Sequence, residues 1–240
     1  MFDQIIERQK PPVGAKPMAR QFIANVFSYM FSALIITAVV AWWFYSNKQY
    51  MTALMSESGS GLNALGYIVM FAPIGLVLLI QTSYQRFSMT LLVVLFIVYS
   101  ALLGMSLSFI FLVYSLGSIA TVFFITAATF GAMALLGYTT KTDLAKFGGI
   151  MYMLFIGIFI ASIANFFMQS GTMSYIISFI GVFVFTGLTA YEMQRLKYMS
   201  SYVEYGSIET SKLALIGGLQ LYILFINLFL SLLRLFGSRD

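Results

Sequence analysis

The 240-residue chain contains no cysteine and no histidine. Without cysteine there is neither a disulfide framework nor a thiolate metal site, and without histidine the commonest metal ligand and the usual near-neutral proton switch are gone. Any proton sensing must use carboxylates, and the chain has eight Asp and Glu in all. Charge of either sign is scarce: 9% of residues are charged, against roughly a quarter in soluble domains. With 60% hydrophobic residues a water-facing surface cannot be built, so the composition is that of a membrane protein. The net charge of +5 does not point to nucleic acid, because the basic residues are scattered between apolar runs and form no stripe with interleaved aromatics. They read as topology signals and headgroup anchors.

Crossing a hydrocarbon core takes about 20 apolar residues as a helix. Seven runs meet that template: 22–45, 65–83, 88–113, 118–137, 147–168, 173–192 and 213–236. Runs this long and continuous predict helices, since lipid leaves no partner for an open sheet edge. The expected fold class is therefore an all-α integral membrane protein with one domain over 22–237, preceded by a flexible polar tail over 1–21. The tail, "MFDQIIERQKPPVGAKPMAR", lacks the order of basic start, apolar core and small-residue cleavage site that marks a signal peptide. Ten of the thirteen Lys and Arg fall in the tail and in the links after spans two, four and six. The positive-inside rule puts that side, and the N-terminus, in the cytoplasm. Seven full spans would place the C-terminus outside, whereas a last segment that re-enters would return it. Small residues four apart, Ala127 with Gly131 and Gly157 with Ala161, predict close helix contacts. Trp42, Trp43 and Tyr45 end the first span where an aromatic belt belongs.

No run carries a charge in its interior, which counts against proton pumps and charge-coupled transporters. The ionisable candidates sit at span ends on one face: Arg86 after span two, Asp143 between spans four and five, and Glu192 closing span six. A carboxylate beside an arginine could act as a latch that protonation releases. The plainer reading pairs Glu192 with Arg195 at i+3 on its own helix. In the last run, "LQLYILFINLFLSLL", Gln220, Asn227 and Ser231 lie on one helical face with Leu224 between them. They serve either as interhelical hydrogen bonds or as a polar lane, and both roles require the helix to be buried in protein. No catalytic constellation is visible: "HExxH", "GxSxG" and "GxxxxGK[ST]" are absent, and an intramembrane aspartyl protease would need two acids within the spans. The chain therefore reads as no enzyme.

Three stretches together, "GYTTKTDL" at 137–144, "TGLTAYEMQRLK" at 186–197 and "LQLYILFINLFLSLLRLFG" at 219–237, resemble the Bax inhibitor-1 (transmembrane Bax-inhibitor-motif) family in its bacterial form. The resemblance implies seven helices with the last one central and surrounded by the other six. It implies a pH-sensitive calcium leak, cell-death suppression in eukaryotes, or, in some bacteria, association with a membrane-bound AAA protease. In calcium-leak members an acid ending the sixth helix and an acid within the seventh sense protons, and an arginine near the end of the second helix latches the closed form. By motif Glu192 matches the first acid and Arg86 the arginine. The second acid would fall at position 224, which here is Leu224. Two close carboxylates share a proton because both cannot be charged together. With one missing, opening near neutral pH becomes harder and a hard Ca²⁺ ion loses oxygen ligands. Glu192 is then the single motif-matched metal candidate, unless Glu209 or Asp143 substitutes from a loop.

The reading that follows is a multi-pass inner-membrane protein forming a calcium or cation leak pathway, gated by Glu192 and Arg86, with Gln220, Leu224, Asn227 and Ser231 lining the central helix. Ca²⁺ would be cargo, and no cofactor is called for. The alternative is a non-conducting regulator that binds membrane proteins such as the protease.

Overall fold

The computed structural model describes residues 15–56, 61–201 and 206–238. The helices are α1 (Ala15–Ser46), α2 (Lys48–Leu54), α3 (Ala64–Ser83), α4 (Met89–Leu107), α5 (Leu116–Thr139), α6 (Ala145–Met168), α7 (Gly171–Ser200) and α8 (Ile208–Phe236), and a 3₁₀ turn over Ser108–Leu112 extends α4. All but α2 are long and apolar enough to cross a membrane. The seven expected spans are therefore seven helices. Five of them start on a side-chain cap: Asn63, Ser88, Ser115, Ser170 and Ser207 each accept a hydrogen bond from the backbone N–H three residues on. These caps explain how links as short as Gln169–Ser170 can reverse the chain, because each satisfies an N–H that the first helical turn leaves open. Gln169 ends α6 in the left-handed region at φ 51°.

Some boundaries differ from expectation. The tail reading for 1–21 lies outside the described residues as far as 14, and from Ala15 the chain is already helical. Pro17 falls in that first turn, where a missing N–H costs nothing. The first link contains α2, which was not expected. Its Met51 and Leu54 are buried against Phe44 and Val69 in a satellite cluster, and Asn63 Nδ2 donates to Ala53 O at 2.8 Å to close the loop. The sixth span continues to Ser200, so Glu192 sits inside α7 and does not end it.

The helix starts of α1, α4, α6 and α8 share one face, called here the N-face, and the opposite side is the C-face. Ser238 N donates to Ser118 Oγ at 2.9 Å and Ser238 O accepts from Ser115 N at 3.3 Å, which ties the end of α8 to the start of α5 on the C-face. α8 runs unbroken for 29 residues, enough for a full crossing at 1.5 Å per residue. No break that would turn the segment back on itself interrupts it.

α8 is the central helix, with Leu215, Leu219, Leu221, Tyr222 and Leu228 fully enclosed. It packs chiefly against α1, α4, α5 and α7. α3 lies outside, on α4, and α6 lies outside, on α7, so four helices and not six make the direct wall. In a bilayer lipid tails are as apolar as leucine, so this packing is held by close van der Waals fit and internal hydrogen bonds. The fit depends on particular glycines. A Cβ on Gly218 of α8 would stand 2.6 Å from Tyr29 Cβ and 2.7 Å from Val26 O on α1. The small-residue pairs expected at contacts do not serve this purpose, since a Cβ on Gly131 or Gly157 would meet open space.

A polar node joins three helices across the core. Thr37 Oγ1 of α1 donates to Ser100 O of α4 at 2.9 Å, which leaves Tyr222 of α8 to donate its hydroxyl proton to Thr37 at 2.5 Å. Gly218→Ala should lower stability by about 1–3 kcal/mol through overpacking, whereas Gly131→Ala should be near neutral. Thermal melting of the two variants in one detergent checks this pair.

Candidate functional site

The "GYTTKTDL" and "TGLTAYEMQRLK" stretches meet on the N-face, where the second half of α7 clasps the link between α5 and α6. Gln194 uses both ends of its amide: Oε1 accepts from Leu144 N and Nε2 donates to Thr142 O, each at 2.8 Å. One turn on, Lys197 Nζ donates to Tyr138 O at 2.7 Å and stands 5.2 Å from the centre of the Tyr138 ring. One turn before Gln194 on α7, Gly148 of α6 lies beneath the Tyr191 ring so closely that any Cβ would overlap it. The absence of a side chain there brings α6 onto α7.

That approach builds the site around Glu192, whose side chain is 1% exposed. Tyr152, one turn along α6 from Gly148, donates its hydroxyl to Glu192 Oε1. Arg195 Nη1 reaches Oε1 at 3.2 Å and Oε2 at 3.3 Å. The carboxylate thus has a neutral donor from the neighbouring helix and a cation from its own, the pairing that a buried charge requires. Arg195 is 44% exposed and borders an N-face cleft of about 480 Å³, which Asp143, Tyr191, Gln194 and Leu213 also line. The cleft therefore opens onto the guanidinium, while the carboxylate lies enclosed behind it.

Arg86 is exposed on the link after α3, and the cation on Glu192 is Arg195. The i+3 pairing holds, and the gate pair of Glu192 with Arg86 is not assembled. The reason is the packing: α3 lies on α4, and its approach to α6, through Phe71 and Phe166, is at the C-face end and not at the Arg86 end. Asp143 Oδ1 accepts from Ala145 N at 2.9 Å and so caps the start of α6 at the cleft's edge. Glu209 is exposed in the first turn of α8. Among the described residues no group of three or more acids, Cys or His gathers in a way that could hold a metal ion.

The four central-helix residues divide. Asn227 Nδ2 donates to Ile223 O and Ser231 Oγ to Asn227 O, both at 2.8 Å and both within α8. They close on their own backbone and bind no other helix, so interhelical bonding falls instead to Tyr222, Thr37 and Ser100. Leu224 and Ser231 are buried, whereas Gln220 and Asn227 are half-buried. With Ile223, Leu230 and Arg234 they form a stripe at three- and four-residue spacing that is the less enclosed side of α8.

Tyr152, Gln194 and Lys197 were not expected at the site. Tyr152 carries a sequence signal only in retrospect, four residues after Gly148 on one helical face, and Gln194 and Lys197 lie within the quoted family stretch.

Seven membrane-length helices, the last of them buried in the bundle, define a multi-pass α-helical membrane protein. The chain belongs to the family described as "Inhibitor of apoptosis-promoting Bax1", matched over residues 19–240. It is 42% identical over 221 residues to "Inner membrane protein YbhL" of Escherichia coli K12, covering 91% of this chain and 92% of that protein. A protein of Borreliella burgdorferi is 40% identical over 239 residues, covering 100% of this chain and 99% of its own length. An "Uncharacterized membrane protein" of Streptococcus pyogenes serotype M1 is 34% identical over 226 residues.

Gln194→Ala removes two bonds worth about 1 kcal/mol each. Hydrogen exchange at the Leu144 amide should become roughly tenfold faster or more, while exchange in the middle of α8 should not change.

Proposed function

We propose that this protein is a proton-responsive cation leak pathway of the inner membrane, held closed by the contacts of Glu192. The observation that carries this reading is the enclosed carboxylate bonded to Tyr152 on one helix and Arg195 on another. While ionised, Glu192 accepts a charge-assisted bond from Tyr152 that fastens α6 to α7, and Arg195 on its own helix balances the charge. Acidification protonates it, removes the charge that Arg195 pairs with, and frees α6. The N-face cleft supplies the proton's route. The half-open stripe of α8, from Leu213 in that cleft to Arg234 at the C-face, supports a path along the central helix for cations such as Ca²⁺. The name of the Escherichia coli relative supports the inner membrane as the location.

One observation favours a second reading. Leu224 is buried where an acid would complete a carboxylate pair, and Asn227 and Ser231 spend their protons on their own helix. A closed bundle of this kind suits a non-conducting regulator that binds membrane proteins, with a membrane-bound AAA protease as the partner.

Purified protein in liposomes separates the two readings, with Ca²⁺ flux followed across pH. Wild type should leak more as pH falls, Glu192→Gln should lose the pH response, and Leu224→Asp should move opening toward neutral pH. Tyr152→Phe should leak more than wild type at neutral pH, because α6 loses its bond to Glu192. Arg86→Gln should behave as wild type. Flux equal in every variant and in protein-free vesicles would overturn the leak and leave the regulator, for which retention of the protease with and without residues 1–20 is the direct test.

A further inference from the structure

We propose that a lateral opening between α3 and α6 on the C-face binds one anionic phospholipid, its acyl chains between the two helices and its phosphate on Arg234. The inference is independent of whether the protein conducts ions. α3 and α6 are the two outer helices, each packed on a different neighbour, and the gap between them is bridged by one edge-to-face ring pair, Phe71 with Phe166 at 5.8 Å. The gap is a cleft of about 780 Å³, within the roughly 300–1,000 Å³ of small-molecule sites. Its walls are Ile74 and Leu78 on one side and Phe159 and Ile163 on the other, all exposed, with Ile177 of α7 at its floor. A surface of this chemistry in a bilayer is filled by hydrocarbon.

What makes it more than a lipid-facing seam is its end. A second cleft of about 430 Å³ joins it at the C-face and shares Arg234, Asn165 and Ser174, and its remaining lining is polar: Gln169, Ser170, Gly171 and Tyr175. The pair is built like the ligand, apolar in the slot and polar at the mouth. Neither cleft contains an Asp or Glu, and Arg234 forms no ion pair among the described residues. Arg234 lies two residues before the end of α8, in the last turn of that span, and a guanidinium takes a phosphate by two parallel hydrogen bonds. Asn165 gives Oδ1 to Ser170 N at 3.2 Å, which leaves its amide Nδ2 as a second donor. The charge on the cleft therefore selects an anionic headgroup over a zwitterionic one.

The test is native mass spectrometry of the full chain in detergent, with dioleoyl-phosphatidylglycerol and dioleoyl-phosphatidylcholine as competing probes. Wild type should retain one phosphatidylglycerol. Arg234→Gln should lose preference for it by about fivefold, the share one basic residue contributes against an anionic lipid. Gly75→Leu, whose Cβ would enter open space in the α3 wall, should fill the slot and lower retention of both lipids without lowering the melting temperature. Equal retention of the two lipids by wild type, or unchanged retention in both variants, would overturn the proposal. Stabilisation by inorganic phosphate alone to the same extent as by phosphatidylglycerol would overturn it too, because the acyl slot would then contribute nothing.

Discussion

A polar group inside a bilayer must find its partner inside the protein, and most of this architecture follows from that constraint. Among the described residues no buried side-chain nitrogen or oxygen lacks a partner. The solutions differ with position. In the middle of the bundle Thr37, Ser100 and Tyr222 bond across three helices. Where α8 is only half enclosed, Asn227 and Ser231 return to the backbone one turn earlier. At the N-face, where the group is a full charge, Glu192 takes both a neighbour's hydroxyl and its own helix's guanidinium. The cost of leaving one of these groups unpaired is largest for the carboxylate, and that is the group given a cation as well as a hydroxyl.

The same constraint explains what could be read in the sequence and what could not. Helices were legible because apolar run length is a direct record of membrane thickness, and the burial of α8 was legible because an amide in a span implies cover. Which group supplies the cover was not. Gln220, Asn227 and Ser231 share a periodicity whether they bond sideways or backward, and only coordinates separate the two. Arg86 and Arg195 are equally plausible partners for Glu192 by topology, since both belong to the N-face. The choice depends on which helices touch, and that is set by Gly148 beneath Tyr191 and by α3 packing on α4. α2 escaped notice because seven residues within a polar link carry too short a period to register.

The family stretches gain a physical meaning from this packing. "GYTTKTDL" supplies Tyr138 and the backbone of Thr142 and Leu144, and the stretch ending in "MQRLK" supplies Gln194 and Lys197 to hold them. Between the two runs the Glu192 contact, so the residues of these stretches are those that fasten α5, α6 and α7 together at one face. A loop held by side chains from a buried helix is a fixed surface, and the cleft beside it keeps its shape.

The identity of the latch partner also decides which part of the wall a released latch would free. An Arg86 latch would tether α3 to α7, and its release would move α3. The observed contacts tether α6. That helix is the least enclosed span, with Gly148 its one buried residue, and its packing partner is chiefly α7. Its hold on the bundle is the Gly148 seat, the edge-to-face pair of Phe155 with Phe185, and the Tyr152 bond to Glu192. Two of these are apolar, and the third is the one that involves a charge, the contact on which the proposed proton response rests. α6 also forms one wall of the C-face cleft that ends at Arg234. On the two proposals, a change in the charge of Glu192 at one face and an occupant of the cleft at the other would act on the same helix, so each would bias the position that the other requires.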